Sequence, residues 1–226
     1  MEVFEYKNVV IETPNSPQAE AYRKLELNIR MASIDKPYRV MQISSASPED
    51  GKTTTAINLA SVYAERGKKV IILDFDLRRP KIHRAFHKIN DMGLYDYIVN
   101  DKPVEDLIIK DDSKVDLLLT GNMIDSPHVI LQSKKVAELV KYARDNYDYV
   151  IVDSPPVLTV TDALLISNLV DGVVYVVSSK KTKKTQAKLG LKQFKENNAN
   201  MIGAVLSDID MKKNADYYDY YYYRKE

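Results

Sequence analysis

At 226 residues, 45% of them apolar and 29% charged, the chain is long enough to bury one substantial core. A net charge of +1 excludes a global attraction to nucleic acid or anionic lipid, and the absence of cysteine excludes disulfides, thiolate zinc sites and iron–sulfur clusters. The first residues lack the basic and apolar regions of a signal peptide, and no apolar run reaches the roughly 20 residues needed to span a bilayer. A cytoplasmic location is therefore expected, with any membrane role arising through a partner.

Residues 1–36 read as a lead segment carrying one helix, which Ser16 and Pro17 could start and along which Tyr22, Leu25, Ile29 and Ala32 form an apolar stripe. Residues 39–44 read as a buried strand ending at a loop. The following stretch, 53–66, reads as a helix with Ala56, Leu59, Ala60 and Tyr63 on one side and Gly67 near its end. Strands are expected at 70–74 and 115–119, and a helix at 136–146 with Leu139, Val140 and Ala143 facing inward. Three more strands are expected at 149–153, 173–178 and 202–207. Uninterrupted apolar strands alternating with helices predict an α/β fold with a mostly parallel sheet covered on both faces. The domain spans 37–211 in this reading, followed by a flexible tyrosine-rich tail at 212–226. Ligands on such sheets bind beyond the carboxyl ends of the strands, where three acid-bearing segments lie.

The loop after the first strand reads Ala46-Ser47-Pro48-Glu49-Asp50-Gly51-Lys52-Thr53-Thr54. Apart from Ala46 in the first glycine position, it fits the phosphate-loop pattern G-x-x-x-x-G-K-[ST] between a strand and a helix, which makes this a P-loop NTPase fold. Loop N–H groups and the positive end of the helix dipole would hold the phosphates of ATP. Lys52 would reach the β- and γ-phosphates, and the Thr53 hydroxyl would ligate Mg2+. The strand at 70–74 delivers Asp74 and Asp76, spaced so that both can share one side of extended chain, and the strand at 149–153 delivers Asp153. Magnesium prefers oxygen ligands and keeps waters, so carboxylates at these strand tips suit a nucleotide–magnesium complex.

In this order, the segments resemble the bacterial tyrosine kinases of capsule and exopolysaccharide synthesis. Asp74-Phe75-Asp76-Leu77-Arg78-Arg79-Pro80 is similar to their second acidic motif, and Asp153-Ser154-Pro155-Pro156 to their Walker B motif. The resemblance implies a protein-tyrosine kinase in which Lys52 neutralises the transferring phosphate and Thr53, Asp76 and Asp153 hold magnesium directly or through water. Asp74 would lie nearest the incoming tyrosine and accept its proton, and Arg78 belongs to the same motif. Tyr217, Tyr218, Tyr220, Tyr221, Tyr222 and Tyr223 crowd the terminus, and the family uses such a cluster as its autophosphorylation site. The resemblance also implies a separate transmembrane activator, a tyrosine phosphatase that resets the tail, and recruitment to the inner face of the membrane.

Three positions and one segment depart from the family pattern. Glu49 stands where a glycine is usual. Glu26 replaces the last arginine of the Glu-x-x-Arg-x-x-Arg helix motif used in ring assembly, here Glu20-Ala21-Tyr22-Arg23-Lys24-Leu25-Glu26. Ser207 ends the strand where an adenine-contacting asparagine is usual, and residues 126–131 lack the usual asparagine and glutamate. Two rival readings therefore stay open: a nucleotide-holding scaffold with weakened kinase activity, and a partitioning-type ATPase switch. Lys180-Lys181-Thr182-Lys183-Lys184 reads first as a solvated run and second as a contact for an acidic partner or lipid head groups. His83 and His87 could share a helix face, but without the glutamate of a zinc-protease motif they read as surface or supporting residues.

Overall fold

The computed structural model describes residues 6–32 and 37–209. The six tail tyrosines expected to accept phosphate lie outside the described residues. The first described elements are two helices, α1 (Val9–Glu12) and α2 (Pro17–Ala32). Then follow β1 (Val40–Ser45), α3 (Lys52–Glu65), β2 (Val70–Asp74), α4 (Ile82–Ala85), α5 (Leu94–Val99), β3 (Val115–Leu118), α6 (Pro127–Leu131) and α7 (Lys134–Asn146). The chain continues through β4 (Tyr149–Asp153), α8 (Asp162–Ser167), β5 (Gly172–Ser178), α9 (Lys184–Glu196) and β6 (Met201–Ser207).

All six strands pair in parallel, in the order β3-β2-β4-β1-β5-β6. This is the α/β arrangement that the sequence predicts. Strands β1 and β2 are buried at every position, as their unbroken apolar runs require when helices cover both faces. One core layer joins the sheet to α3 through Ile43, Ile57, Leu59, Ile72 and Ile151; the other joins it to α7 through Ile71, Leu73, Val136, Leu139 and Val152. Strand β6 lies at the sheet's edge, where every position is exposed or half-buried.

Two helices occupy the lead segment rather than the one expected, because four residues of α1 are too few to display a helical period. Both pack on α3, which is consequently buried almost all round instead of on one side. Asn58 of α3 fastens this layer: its Oδ1 accepts from Val10 N at 3.2 Å and its Nδ2 donates to Lys7 O at 2.9 Å. Arg23 of α2 donates to both carboxylate oxygens of Glu65 on α3, at 2.9 and 2.8 Å. Glu26, 1% exposed, sits between Arg30 at 3.3 Å and Arg66 at 3.1 Å.

Helix α9 escaped the sequence reading because Gly190 interrupts its stripe of Ala187, Leu191 and Phe194. The glycine is a packing requirement: a Cβ there would meet Tyr175 Oη at 2.2 Å and Val157 Cγ1 at 3.0 Å. Tyr175 Oη donates to Ala187 O at 3.1 Å, tying α9 to β5.

Candidate active site

The loop between β1 and α3 takes a shape that its two acids help to maintain. Asp50 is fully buried; its Oδ2 accepts from Ser47 N at 2.9 Å and its Oδ1 from Thr182 Oγ1 at 2.7 Å. Ser207 Oγ donates to Asp50 O at 2.6 Å. At Gly51 φ is +90°, and an added Cβ would stand 3.2 Å from Ser207 Cβ, so glycine is required both by conformation and by space. Glu49 also lies in the left-handed region at φ 62°, which costs a side-chain-bearing residue about 1 kcal/mol. Its carboxylate points out of the loop to accept from Lys181 Nζ at 2.9 Å, a hydrogen bond that holds its pKa below the ordinary carboxylate range. Neither acid is left facing the loop's phosphate cradle without a partner. The first backbone bond of α3 runs from Thr55 N to Gly51 O, so the N–H groups of its opening turn have no intrahelical acceptor, the usual condition of an anion-binding helix start.

Parallel pairing of β2 and β4 sets Asp74 beside Asp153, and α3 starts opposite them. Lys52, 6% exposed, places Nζ 2.9 Å from Asp76 Oδ2 and 3.8 Å from Asp153 Oδ1. Thr53 Oγ1 donates to Asp153 Oδ2 at 2.8 Å. Burial opposes the charge on Lys52, but Asp153 and Asp76 outweigh it and raise the pKa above the ordinary lysine range. Burial raises the pKa of Asp153 as well, against the pull of Lys52. Asp74 is raised well above the usual carboxylate range, first by burial and then by Asp153 and Asp76.

The structure therefore brings Lys52, Thr53, Asp76 and Asp153 into one cluster, with Asp74 alongside. Asp74 Oδ2 accepts from Lys81 N and Ile82 N, both at 3.2 Å, where α4 begins, and its Oδ1 accepts from Asp76 N at 3.3 Å. Arg78 turns away from the lysine: its Nε donates to Asp162 Oδ2 of α8 at 2.8 Å. Helix α4 ends at Ala85 and His87 has φ 52°, so His83 and His87 do not share a helix face.

Three buried carboxylates face one ammonium here, and Asp153 Oδ1 has no hydrogen-bond donor among the described residues. A divalent cation fits this excess of negative charge. No group of three or more acidic or histidine side chains among the described residues could hold a metal by itself. Magnesium binds through one or two carboxylates and completes its shell with water and phosphate oxygens. A cavity of about 160 Å³ lies against Gly51, Lys52 and Thr53 and is also lined by Tyr6, Lys81 and Lys181. A second, of about 360 Å³, adjoins it between α2 and β6, with Tyr22, Leu25, Val205 and Leu206 on its walls and Thr54 and Thr55 at its base.

Sequence reasoning did not find Asp162, Thr182 or the placement of Lys181. Asp162 carries a weak sequence signal, as an acid in the first turn of a helix. Lys181 was visible only as one member of a lysine run.

Residues 39–215 match the AAA domain family AAA_31. Tyrosine-protein kinase YwqD of Bacillus subtilis is 38% identical over 213 residues, covering 93% of this chain and 90% of that one. The crystal structure of the chimerical protein CapA2B2 superposes with a TM-score of 0.84 at 37% identity and covers 88% of both chains. The kinase domain of Escherichia coli tyrosine kinase ETK also gives a TM-score of 0.84, at 26% identity, over 93% of this chain and 84% of that one. The chain belongs to the bacterial tyrosine-protein kinases.

Proposed function

We propose that this kinase transfers phosphate from ATP to the tyrosines of its own C-terminal cluster, Tyr217 to Tyr223, and thereby regulates capsular or exopolysaccharide synthesis. The observation that carries this reading is the buried cluster in which Lys52 Nζ lies 2.9 Å from Asp76 and 3.8 Å from Asp153 while Thr53 bonds Asp153. Phosphoryl transfer passes through a loose transition state, so positioning and charge stabilisation outweigh covalent chemistry. Magnesium, when bound, would draw charge from the transferring group, with Thr53, Asp76 and Asp153 holding it directly or through water.

The remaining work falls to the chain's own groups. Lys52 neutralises the phosphate chain. Loop N–H groups from Glu49 to Thr54 orient it; Pro48 has no N–H, and that of Ser47 is already given to Asp50. The adenosine half lies in the apolar cleft between α2 and β6, with Ser207 at its rim. Asp74 has a raised affinity for protons and takes the one released by the phenol; its burial calls for the incoming tyrosine to reach down to it. Arg78, held by Asp162, stabilises the segment that carries Asp74 and Asp76.

No helix among the described residues is long and apolar enough to cross a membrane. A separate transmembrane activator would bring the kinase to the inner face of the membrane, and a tyrosine phosphatase would reset the tail. Self-association through α2 would have to draw on residues already paired within the chain, since Arg23 is engaged with Glu65 and Glu26 with Arg30 and Arg66.

The test is intact-mass measurement of the full chain incubated with ATP and magnesium, with and without the activator's cytoplasmic peptide. Stepwise phosphate additions that map to the tail and vanish in Lys52→Met support the kinase reading. Nucleotide binding without added mass, even with the activator peptide, points to a scaffold; free phosphate with an unmodified tail points to an ATPase.

A further inference from the structure

Three lysines, Lys52, Lys81 and Lys181, line the cavity of about 160 Å³ at the phosphate loop. Lys52 belongs to the loop motif, but Lys181 arrives from the turn after β5, 132 residues beyond its partner Glu49. Its placement is built in. Ser178 Oγ accepts from Lys180 N at 3.3 Å and from Lys181 N at 3.0 Å while donating to Asp208 Oδ2 at 2.5 Å. Thr182 Oγ1 accepts from Ser178 N at 2.9 Å and donates to Asp50 Oδ1. The turn is thus fastened on one side to the end of β6 and on the other to the phosphate loop, which aims the Lys181 stem at the mouth of the cavity.

Glu49 completes the arrangement. A glutamate at a position with φ 62° is a local cost that the loop does not need, since glycine takes that conformation freely. What the glutamate supplies is a carboxylate 2.9 Å from Lys181 Nζ, in a pair half open to solvent with side chains 53% and 41% exposed. Such a pair is weak in water, so a stronger anion can displace the carboxylate from the ammonium. The chain of phosphates on a nucleoside triphosphate carries more charge than one carboxylate and would enter the same cavity.

Resting on the nucleotide reading above, we propose that Lys181 is a further phosphate-binding residue, held at the cavity mouth by Glu49 and shared with the phosphate oxygens when a nucleoside triphosphate binds. Glu49 is then the positioning residue for Lys181, which accounts for a carboxylate within a loop that binds anions. No covalent bond changes; one ion pair is exchanged for another.

Calorimetric titration of the full chain with magnesium–ATP tests this on the wild type, on Lys181→Met and Glu49→Gln, each first shown to keep the wild-type melting curve, and on Lys52→Met, first shown to be folded at the assay temperature. Lys181→Met is expected to weaken binding about tenfold, the worth of one charge-assisted hydrogen bond. Glu49→Gln is expected to hold or tighten affinity, because it removes the competing charge while the glutamine amide oxygen still accepts from Lys181 Nζ and keeps the lysine at the cavity mouth. Equal losses in the two variants would reduce the pair to a structural latch and overturn the proposal, as would an unchanged affinity in Lys181→Met. Failure of the wild type to bind ATP would defeat the nucleotide reading itself and this proposal with it. Binding that Lys52→Met abolishes and Lys181→Met leaves intact would defeat the Lys181 assignment alone.

Discussion

Lys52 and Asp76 form an ion pair of 2.9 Å in which the two side chains are only 7% and 6% exposed. Asp153 stands 3.8 Å from the same ammonium, and Asp74 adds its field. Lys52→Met would leave three buried carboxylates with no cation among them. Removing one partner of a buried pair typically costs about 3–5 kcal/mol. Asp74 and Asp153 already have raised pKa values through burial, and without the ammonium they rise further. An acid whose folded pKa exceeds its unfolded one stabilises the fold while protonated, and that contribution fades as pH climbs through the folded value. The loss of stability in Lys52→Met should therefore grow as pH rises above the ordinary carboxylate range in urea unfolding. A deficit that is flat or that shrinks as pH rises would show that Lys52 is not neutralising these acids.

Thr53 and Asp153 test the metal. Asp153→Asn keeps the side-chain volume but removes the charge that faces Lys52 and Thr53. Tail phosphorylation should fall about a hundredfold or more, given the several kcal/mol that a metal contributes to phosphoryl transfer. The magnesium concentration needed for half-maximal ATP binding should rise, while binding measured in EDTA changes little. An unaltered magnesium requirement would remove Asp153 from the metal site.

Gly190 and Tyr175 offer a test of packing away from the chemistry. Gly190→Ala should destabilise by about 1–3 kcal/mol, because its Cβ overlaps Tyr175 Oη. In a Tyr175→Phe background the severe overlap is gone, leaving tight contacts with the ring Cζ at 3.3 Å and Val157 Cγ1 at 3.0 Å, and alanine's better helix propensity, worth about 1 kcal/mol, offsets them. The double variant should then melt close to Tyr175→Phe alone. Equal damage in both backgrounds would place the clash elsewhere, with Val157 at 3.0 Å the next candidate.

Ser207 separates a loop brace from a base contact. Its hydroxyl donates to Asp50 O at 2.6 Å, so Ser207→Ala leaves that carbonyl without its donor and should cost about 1 kcal/mol of stability. ATP affinity should change by less than about threefold if the hydroxyl serves the loop, because a neutral hydrogen bond kept within the protein adds little to binding. A large affinity loss with an unchanged melting temperature would assign Ser207 to the nucleotide instead.

The parts of this protein that were legible in the sequence share one character: each rests on residues close together in the chain. Val70 to Asp74 announced a buried parallel strand because every position is apolar until the carboxylate at its tip. Gly51-Lys52-Thr53 announced a phosphate loop because the strand before it and the helix after it are contiguous. Even the boundaries of α3 and β4 came within a residue of those observed. The helices that the sequence did not announce were α9, whose pattern is overridden by packing, and α1, α4, α5, α6 and α8, each of six residues or fewer. Helix α9 hides behind Gly190, whose reason is a tyrosine on a neighbouring strand, and α1 is shorter than the period that would reveal it.

By itself, then, the amino-acid order determined the alternating α/β pattern, the loop lysine, and the acids at the strand tips, because hydrophobic periodicity and short motifs are local properties of a chain. Only the tertiary packing decided that Arg78 would meet Asp162, that Arg66 would join Arg30 around a buried Glu26, and that Glu49 and Asp50 would find Lys181 and Thr182. The pairings of Glu49 and Asp50 depend on β5 lying beside β1, that of Arg78 on β2 lying beside β4, and that of Glu26 on α2 packing against α3. Parallel crossovers bring together strand ends that lie far apart along the chain, and no spacing within a single sequence records which ends will be neighbours.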